Sequence, residues 1–421
     1  MLSNLTPDVP VAERLFAELR EKTRDGEGVT RDAFGPGERI AHAIVRAEAE
    51  ALGLEISTDV AGNMYMTLPG ADRSNKRIIL GSHLDSVKQG GNYDGAAGVL
   101  AGLAAVAGMK RAGFVPGRDV TVMAIRAEEA GAWFPVSYPG SKAALGLLKP
   151  EGLNIRRMDT GRTLADHMRE EGFHPDAVAR GEHALGPHNV AAYLEVHIEQ
   201  GPVLDAEEIP IGIVTGIPGS RRLRQARVIG EYNHSGGTPR KYRRDAAIAL
   251  AELAHRLDEE WCRLEAMGHT LVCTFCTLAT TPEAGFTKIA GEAEFQLDVR
   301  SVSPHACDLM FERLHSLMVE IEARRGVRFE RGPETGSMAN AMDPGIRAGL
   351  KRAAGALGIA SREMASGGGH DAAAFAEAKV PAAMLFVRNQ NGSHNPKEDM
   401  RMDDFAAACA VVTRWAAEAS L

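Results

Sequence analysis

The first half of the chain alternates between two patterns of apolar residues. Short continuous apolar runs such as Val120–Ile125 predict buried strands, and longer segments such as 11–24, in which apolar residues recur every three or four positions, predict helices. Further helices are predicted at 37–52 and 96–111, and further strands end at Leu80 and Ile198. Alternating strands and helices predict a mostly parallel sheet with helices on both faces.

A different order of elements begins near residue 213. Apolar and polar residues alternate over 224–230, as in a strand with one solvated face, and helix-like and strand-like segments follow. In chain order they are a helix at 244–266, strands at 270–279 and 291–299, a helix at 306–324 and a strand at 327–329. This βαββαβ order is typical of a ferredoxin-like domain.

The last part of the chain returns to the first pattern, with a helix predicted at 344–357, a strand at Ala382–Val387 and a closing helix from Met402. We therefore predict an α/β domain formed by residues 1–212 and 333–421, with a mostly parallel sheet and helices on both faces. Residues 213–332 are predicted to form an inserted α+β ferredoxin-like domain. Both junctions are rich in glycine, serine and proline, which is common in hinges.

Composition narrows the class of partner. At 421 residues, the chain exceeds the size that one hydrophobic core usually covers, which also favours two domains. Its 48 lysine and arginine residues and 56 aspartate and glutamate residues give a net charge of −8, which favours a small-molecule substrate over nucleic acid or an anionic membrane. The first ten residues have no basic start, and no run of about 18 apolar residues occurs. We therefore expect neither a signal peptide nor a membrane span, and predict a cytoplasmic location.

Histidine and carboxylate residues stand just after predicted strands at several points. They are His83 and Asp85 after the strand ending at Leu80, Asp94 in a glycine loop, Glu128 and Glu129 after Val120–Ile125, His197 at a strand end, and His394 after Ala382–Val387. In open α/β sheets, sites form at the carboxyl ends of strands. Imidazole and carboxylate are ligands for divalent zinc, manganese, cobalt or nickel. The pattern therefore predicts a metal-dependent hydrolase.

Neighbouring residues in this set suggest a division of roles. Asp85 stands two residues after His83, where its carboxylate could accept the second imidazole N–H and fix the tautomer. Glu128 and Glu129 point in different directions at a strand end, so one could bind metal while the other acts as general base toward a water whose pKa the metal lowers. Taken singly, each feature has an ordinary explanation: a surface histidine, an N-cap aspartate at Asp94, or a solvated pair of glutamates.

Taken together, these segments carry a family resemblance. The chain resembles the dinuclear metallo-amidases of the aminoacylase and carboxypeptidase superfamily, and most of all the branch that contains L-N-carbamoylases, β-ureidopropionases and allantoate amidohydrolases. The resemblance spans nearly the whole chain, and the stretch His197-Ile198-Glu199-Gln200-Gly201-Pro202 favours this branch over the peptidases. The segments that carry it are 81–94, Glu128 with Glu129, 197–202, 234–245, 366–371 and 392–396.

The resemblance implies a homodimer with two divalent metal ions (zinc, manganese, cobalt or nickel) in each subunit. Its implied metal ligands are His83, Asp94, Glu129, His197 and His394, with Asp94 bridging the two ions. Glu128 matches the general base, and Asp85 matches the partner of His83. His234 matches a histidine that stabilises the oxyanion, commonly from the neighbouring subunit, so the inserted domain is implied to serve as lid and dimerisation domain. A histidine that merely caps a loop is the alternative for His234.

The implied substrate contacts include two departures from the family pattern. Arg300 matches the arginine that binds the substrate carboxylate, although a structural salt bridge with Asp298 is an alternative. Gln200 and His370 match positions around the substrate. Thr287 stands where carbamoylases usually have an asparagine that shares carboxylate binding, and Trp133 stands where an arginine is common. These changes imply a pocket of different shape, and therefore an unusual substrate.

The implied function is hydrolysis of a carbamoyl (ureido) or related amide C–N bond. The substrate would be a small amide that bears a carboxylate, such as an N-carbamoyl amino acid, attacked by a bridging water that metal activates. An N-acyl amino acid hydrolase or dipeptidase is the nearest alternative, because it needs the same metals. A non-catalytic binding protein of the same fold is a third, but the presence of all five ligand positions and Glu128 argues against it.

Overall fold

A computed structural model describes residues 5–421 of the chain. The chain forms two compact units: one contains the residues up to Gly216 together with Ala341–Leu421, and the other is Ile217–Asn340. No helix in the described part of the chain is long and apolar enough to cross a membrane.

The first unit is built on an eight-stranded sheet. Its central strands Ala382–Val387, Val190–Ile198, Arg77–His83 and Val120–Ile125 are neighbours in that order and run parallel to one another. The predicted α/β class with a central parallel sheet is therefore confirmed. The outer strands were not predicted, because they have only four or five residues each and too little sequence to show a period. They are Ile211–Val214 and Ser361–Met364 on one side, and Met64–Leu68 and Glu55–Thr58 on the other.

Helix Ala96–Arg111 lies at the centre of this unit. Every residue from Ala96 to Met109 is buried, because the helix packs against the sheet and against the last helix. Its glycines allow this close packing: a Cβ on Gly98 would lie 2.1 Å from the carbonyl oxygen of Val196. The other long helices are Val9–Lys22, Pro36–Ala51, Pro344–Ala356 and Met402–Ala419, and the shorter α-helices are Ala130–Trp133, Pro139–Ala144, Leu164–Glu170, Pro175–Ala179, Val203–Ala206 and Ala372–Glu377.

The second unit is an antiparallel sheet with two helices that share one apolar core. The long strand Gly219–Ile229 lies between Glu292–Ser301 on one side and Arg328–Glu330 with Glu334–Ser337 on the other. Strand Val272–Thr280 forms the edge beyond Glu292–Ser301. With helices Ala246–Ala266 and Pro304–Arg325, the elements follow the βαββαβ order expected from the sequence.

The boundaries of the second unit differ from those expected from the sequence. Residues 213 and 214 belong to the first unit, because strand Ile211–Val214 pairs with Ala382–Val387 and Ser361–Met364. Residues 333–340 belong to the second unit, where Glu334–Ser337 pairs with Gly219–Ile229. Strand pairing, which is not visible in local composition, decides both boundaries.

Candidate metal centre

The carboxyl ends of the parallel strands bring the predicted ligands together. His83 is the last residue of Arg77–His83, and His197 lies next to the end of the neighbouring strand Val190–Ile198. Asp94 lies in the loop before helix Ala96–Arg111. Gly95 allows this loop to approach His83, because its φ is +66° and a Cβ there would lie 2.3 Å from His83 Cε1.

Asp94 lies between two groups of side chains. Its Oδ1 is 3.1 Å from His197 Nε2 and 3.6 Å from His83 Nε2. Its Oδ2 is 3.3 Å from His394 Nε2, which is itself 3.0 Å from Glu129 Oε1. The ligand atoms of His83, Asp94 and His197 lie within 4.8 Å of one another, and so do those of Asp94, Glu129 and His394. Asp94 is therefore the one carboxylate that both groups share.

The backbone contacts of the two buried histidines fit a cation between them. His83 Nδ1 lies 3.1 Å from the carbonyl oxygen of Asp85, and His197 Nδ1 lies 2.9 Å from that of Ile198. Because a carbonyl oxygen only accepts, each neutral ring carries its proton on Nδ1 and presents a lone pair at Nε2. The two Nε2 atoms are 3.4 Å apart. Within residues 5–421, buried Asp94 Oδ1 accepts no hydrogen bond. These converging electron pairs are a donor set that a divalent cation satisfies.

Asp85 contacts both glutamates as well as His83. Its Oδ1 accepts a hydrogen bond from Glu128 N at 3.0 Å, and its Oδ2 accepts one from Glu129 N at 2.9 Å. Its Oδ1 also lies 3.3 Å from His83 Nδ1. The sequence suggested only the contact with His83. In the structure this one carboxylate holds the backbone of the turn from which both glutamate side chains project.

Glu128 and Glu129 lie in an environment that disfavours two negative charges. Burial raises the pKa of Glu128 well above its ordinary value, although His83 opposes the shift, and Glu128 Oε2 lies 3.7 Å from His83 Nε2. Burial and the charge of Asp94 raise the pKa of Glu129. A cation bound beside these groups would favour their ionised forms.

Glu398 is a site residue that sequence reasoning missed. It is buried, and its Oε1 accepts hydrogen bonds from the backbone N–H groups of Tyr93 and Asp94 at 2.9 and 3.2 Å. The Ser393 hydroxyl lies 2.6 Å from both Glu398 Oε2 and Asp94 Oδ2. Burial and Asp94 raise the pKa of Glu398 to about 7. The available signal was its position four residues after His394 in the same loop.

Sequence reasoning also missed Arg31, which the structure buries completely. Its Nε donates to the carbonyl oxygen of Leu84 at 2.6 Å, and its Nη1 donates to Asn92 Oδ1 at 3.2 Å. Its Nη2 lies 3.4 Å from the carbonyl oxygen of Asp94. Arg31 thus joins the loops that carry Asp85 and Asp94. No local pattern distinguishes it from a surface arginine, because its partners are more than fifty positions away in the sequence.

Gln200 and His370 both lie beside the candidate metal ligands. Gln200 has a φ of +62°, and its Nε2 donates to Asp94 Oδ2 at 2.8 Å. The ring of His370 is 1% exposed, and its centroid lies 4.5 Å from that of His197. Burial lowers the pKa of His370 well below its ordinary value, with His197 as a further cause. Gln200 is partly exposed, whereas the buried His370 ring packs against that of His197.

Trp133 lies behind the Asp85 loop. Its side chain is enclosed in an apolar cluster, and its Nε1 donates to the carbonyl oxygen of Ser86 at 2.9 Å. The Arg157 guanidinium lies 4.6 Å from the centre of its ring. With only 7% of its surface exposed, Trp133 offers little area for contact with a substrate. Its hydrogen bond to Ser86 instead stabilises the loop that follows Asp85.

In the second unit, His234 and Thr287 lie close together on the surface. Short strands Asn233–His234 and Lys288–Ile289 pair, and the carbonyl oxygen of Thr287 accepts a hydrogen bond from Ser235 N at 3.0 Å. His234 Nδ1 accepts from Gly236 N at 3.1 Å and from Gly237 N at 2.9 Å. The neutral ring therefore carries its proton on Nε2, which is the atom available to donate.

Arg300 forms the ion pair that was the alternative to substrate binding. Its Nε and Nη2 donate to Asp298 Oδ2 at 3.0 and 2.8 Å, and Arg222 Nε lies 3.1 Å from the same oxygen. The Arg300 side chain is nevertheless 38% exposed. Two of its five N–H donors thus bond to Asp298, and the rest of the fork is available to an anion.

Comparisons with known proteins agree with the predicted resemblance. A family model described as "Peptidase family M20/M25/M40" matches residues 79–418. An N-carbamoyl-L-amino acid amidohydrolase of Geobacillus stearothermophilus is 35% identical over 412 residues, which are 96% of this chain and 98% of that protein. An allantoate amidohydrolase of Bacillus subtilis (strain 168) is 32% identical over 372 residues, which are 88% of each protein.

A solved structure has the same fold over nearly the whole length. The crystal structure of a hydantoinase/carbamoylase family amidase from Burkholderia ambifaria has a TM-score of 0.88 and 31% sequence identity, and the alignment covers 99% of this chain and 98% of that one. The predicted resemblance to metallo-amidases of the carbamoylase branch is confirmed. The chain belongs to peptidase family M20/M25/M40.

Proposed function

We propose that this protein is a metal-dependent amidohydrolase that cleaves a carbamoyl (ureido) or related amide C–N bond of a small substrate with a carboxylate group. The observation that carries the proposal is the pair of donor groups that share Asp94, with the buried carboxyl of Glu128 beside them. Relatives that match almost the whole chain are named N-carbamoyl-L-amino acid amidohydrolase and allantoate amidohydrolase.

We propose that five residues hold two divalent cations, with Asp94 shared between them: His83, Asp94, Glu129, His197 and His394. When bound, such cations supply Lewis acidity, which lowers the pKa of a water and polarises a carbonyl group. The Nδ1 bonds of His83 and His197 to backbone carbonyl oxygens hold both rings in the tautomer that this role requires.

Glu128 is the proposed general base. Its backbone is fixed by Asp85, and its carboxyl lies at the edge of the donor groups without bonding to Asp94. It would take the proton of the attacking water and pass it to the nitrogen that leaves, so one side chain serves both proton transfers. The neighbouring Glu129 faces His394 instead, which leaves Glu128 free for this task.

Two residues of the second unit are proposed to contact the substrate. His234 would donate its Nε2–H to the oxygen that gains negative charge, because its Nδ1 is already an acceptor for two backbone N–H groups. Arg300 would bind the substrate carboxylate through the part of its fork that Asp298 does not use. Thr287, beside the His234 loop, has a shorter side chain than the asparagine common in carbamoylases and would leave room there for a different acid.

Product analysis tests the proposal directly. The purified protein is loaded with manganese, cobalt, nickel or zinc and assayed for ammonia with N-carbamoyl amino acids, other ureido acids and allantoate. N-acyl amino acids and dipeptides are assayed in parallel for free amine. We expect metal-dependent ammonia release that Glu128→Gln abolishes. Amine from the acyl panel without ammonia would move the protein to the acylase and dipeptidase alternative, and no product in either panel would contradict the proposal.

We also propose that Ile217–Asn340 serves as lid and dimerisation domain of a homodimer, with His234 acting in the neighbouring subunit. Co-expression of two inactive chains tests this. A dimer of one Glu128→Gln chain and one His234→Ala chain would contain one site with both residues intact only if His234 acts across subunits. Recovered activity in the mixed dimer is expected, and none would contradict the exchange. The cytoplasmic location stays a prediction from the sequence.

A further inference from the structure

The turn that carries Glu128 and Glu129 contains a strained residue. Ala127, directly before them, has a φ of +58°. This left-handed region is uncommon for residues other than glycine, because the Cβ is crowded there, and it persists only where surrounding contacts hold the backbone. The conformation of Ala127 sets the direction in which the next two residues leave strand Val120–Ile125.

Side chains from elsewhere in the first unit hold this turn. Four consecutive backbone N–H groups, those of residues 126–129, donate to side-chain oxygens. Arg126 N donates to Asn63 Oδ1 at 2.9 Å, and Ala127 N donates to Glu38 Oε1 at 2.9 Å. The next two donate to Asp85. The conformation of the turn is therefore fixed by side chains from other parts of the chain, and Glu38 bonds to its strained residue, Ala127.

Glu38 is itself firmly placed. It lies in the first turn of helix Pro36–Ala51 and has no exposed surface. Its Oε2 accepts from Phe34 N at 2.8 Å and from Arg126 Nη1 at 3.0 Å. Both carboxylate oxygens therefore accept hydrogen bonds, Oε1 from Ala127 and Oε2 from Phe34 and Arg126. Since Arg126 neighbours Ala127, Glu38 bonds to two consecutive residues of the turn.

We propose that Glu38 is a positioning residue for hydrolysis: it holds Ala127 in the left-handed conformation that directs the Glu128 and Glu129 carboxyl groups to their places in the site. This inference rests on the proposed function, because it assigns those two residues their roles. Glu38 lies outside residues 79–418, which match the family model, and it precedes every segment that carries the sequence resemblance.

The test variant is Glu38→Gln, which keeps the shape of the side chain but has only one acceptor oxygen. Its NH₂ group must face either Ala127 N–H or the Phe34 and Arg126 donors, and a donor cannot accept from them. The hydrogen bonds of one of the two carboxylate oxygens are therefore lost. We expect kcat to fall about 10- to 100-fold with KM within about threefold of wild type, which is the cost typical of losing a residue that orients a site. Metal should also dissociate faster into a chelator, because Glu129 is less well placed.

A matched control separates positioning from general stability. Asp404 is also buried and bonds to Arg388 through two hydrogen bonds of 2.7 and 3.0 Å, on the last helix of the same unit. Asp404→Asn should lower the melting temperature as Glu38→Gln does, but leave kcat and metal retention at wild-type values. If Glu38→Gln does not fold, Glu38→Asp, which keeps two acceptor oxygens on a shorter stem, replaces it in the same assays.

A second test replaces Ala127 by a residue that adopts the left-handed conformation easily. Glycine occupies the left-handed region without the Cβ penalty of alanine, so Ala127→Gly should recover part of the kcat that Glu38→Gln loses. A folded Glu38→Gln protein with kcat within twofold of wild type would overturn the proposal. If the wild-type protein hydrolyses no substrate, the proposed function fails. Metal dissociation then decides whether Glu38 places Glu129 in the metal site: faster loss than in Asp404→Asn supports this placement, and equal retention overturns it.

Discussion

In their neutral forms, His197 in the first unit and His234 in the second carry the ring proton on opposite nitrogens. His197 is 1% exposed, and its Nδ1 donates to a backbone carbonyl oxygen, which leaves a lone pair at Nε2 beside Asp94. His234 is exposed, and its Nδ1 accepts from two backbone N–H groups, which leaves a proton at Nε2. The backbone contacts thus favour a free acceptor nitrogen on His197, as the proposed cation ligand requires, and a free N–H on His234, as the proposed oxyanion donor requires.

The same contrast holds for the other functional residues of the two units. In the first unit, the carboxylates of Asp85 and Glu398 each accept two backbone N–H groups of site loops, so the loops are fixed before any ligand arrives. In the second unit, Thr287 is exposed and Arg300 keeps part of its fork free. We infer that changes in the first unit act on metal binding or on proton transfer, whereas changes in the second unit leave the metal in place and act on substrate binding or on stabilisation of the oxyanion.

Replacement of Glu128, the proposed general base, should have the strongest consequence. Glu128→Gln removes the proton acceptor but keeps the backbone bond to Asp85, so the turn should remain in place. We expect kcat to fall by about 10³-fold or more, near the upper range for acid and base catalysis, with unchanged metal content. Kinetics with elemental analysis of the metal measures both. Residual activity within tenfold of wild type would contradict this role, because another residue would then act as base.

Local pattern was enough to predict several elements of the first unit. Helix Ala96–Arg111 and strands Val120–Ile125 and Ala382–Val387 have the predicted bounds, because long apolar segments bounded by glycine or charge define their own ends. The candidate ligands were found because parallel strands place their last residues at one edge of the sheet.

What could not be predicted depends on contacts between distant parts of the chain. Glu38 lies 89 positions from Ala127, and Glu398 lies 304 positions from Asp94, so neither bond leaves a local pattern. The enclosed position of Trp133 has the same origin, since burial depends on the cluster that forms around it. Residues that hold other residues in place are therefore the part of a site that a single sequence shows least.

Replacement of His197 and of His234 tests the difference between the two histidines. His197→Ala should lose metal, because it removes a proposed ligand whose Nε2 faces Asp94. His234→Ala should retain metal but lose about 10²- to 10³-fold in kcat, the range for removal of one oxyanion donor. Metal content and kcat of the two variants are compared under one set of conditions. Loss of metal from both variants, or retention by both, would remove the distinction between ligand and donor.

A smaller effect is expected at Arg300. Arg300→Lys replaces a planar fork by a single ammonium group, so KM for the carboxylate substrate should rise about 10- to 100-fold with little change in kcat. Asp298→Asn is the control, because it weakens the ion pair without removing the arginine. Its KM should stay near wild type or fall. If both variants lower only the melting temperature, Arg300 has the structural role that its bond to Asp298 allows.

The weakest predicted effect is on stability and concerns a third histidine, His42. Unlike the rings of His197 and His234, its ring has no hydrogen-bond partner within the described chain. His42 is 5% exposed. Burial lowers the pKa of His42 well below its ordinary value of 6.5, and the charges of Arg126 and Arg46 add to the shift. The folded protein therefore keeps this ring neutral where the unfolded chain takes up a proton.

This difference makes stability depend on pH. The contribution of neutral His42 is complete above about pH 6.5 and is lost as pH falls toward the lower folded pKa, because only the unfolded chain gains the proton. Between about pH 6.5 and the folded pKa, the unfolding free energy falls by up to about 1.4 kcal/mol per pH unit. His42→Leu should flatten this decline in urea denaturation at pH 7.5, 6.5 and 5.5, whereas His255→Ala, which changes a histidine with a 73% exposed side chain, should not. Equal slopes in wild type and His42→Leu would mean that the ring gains a proton in the fold, and that burial without partners does not fix its charge.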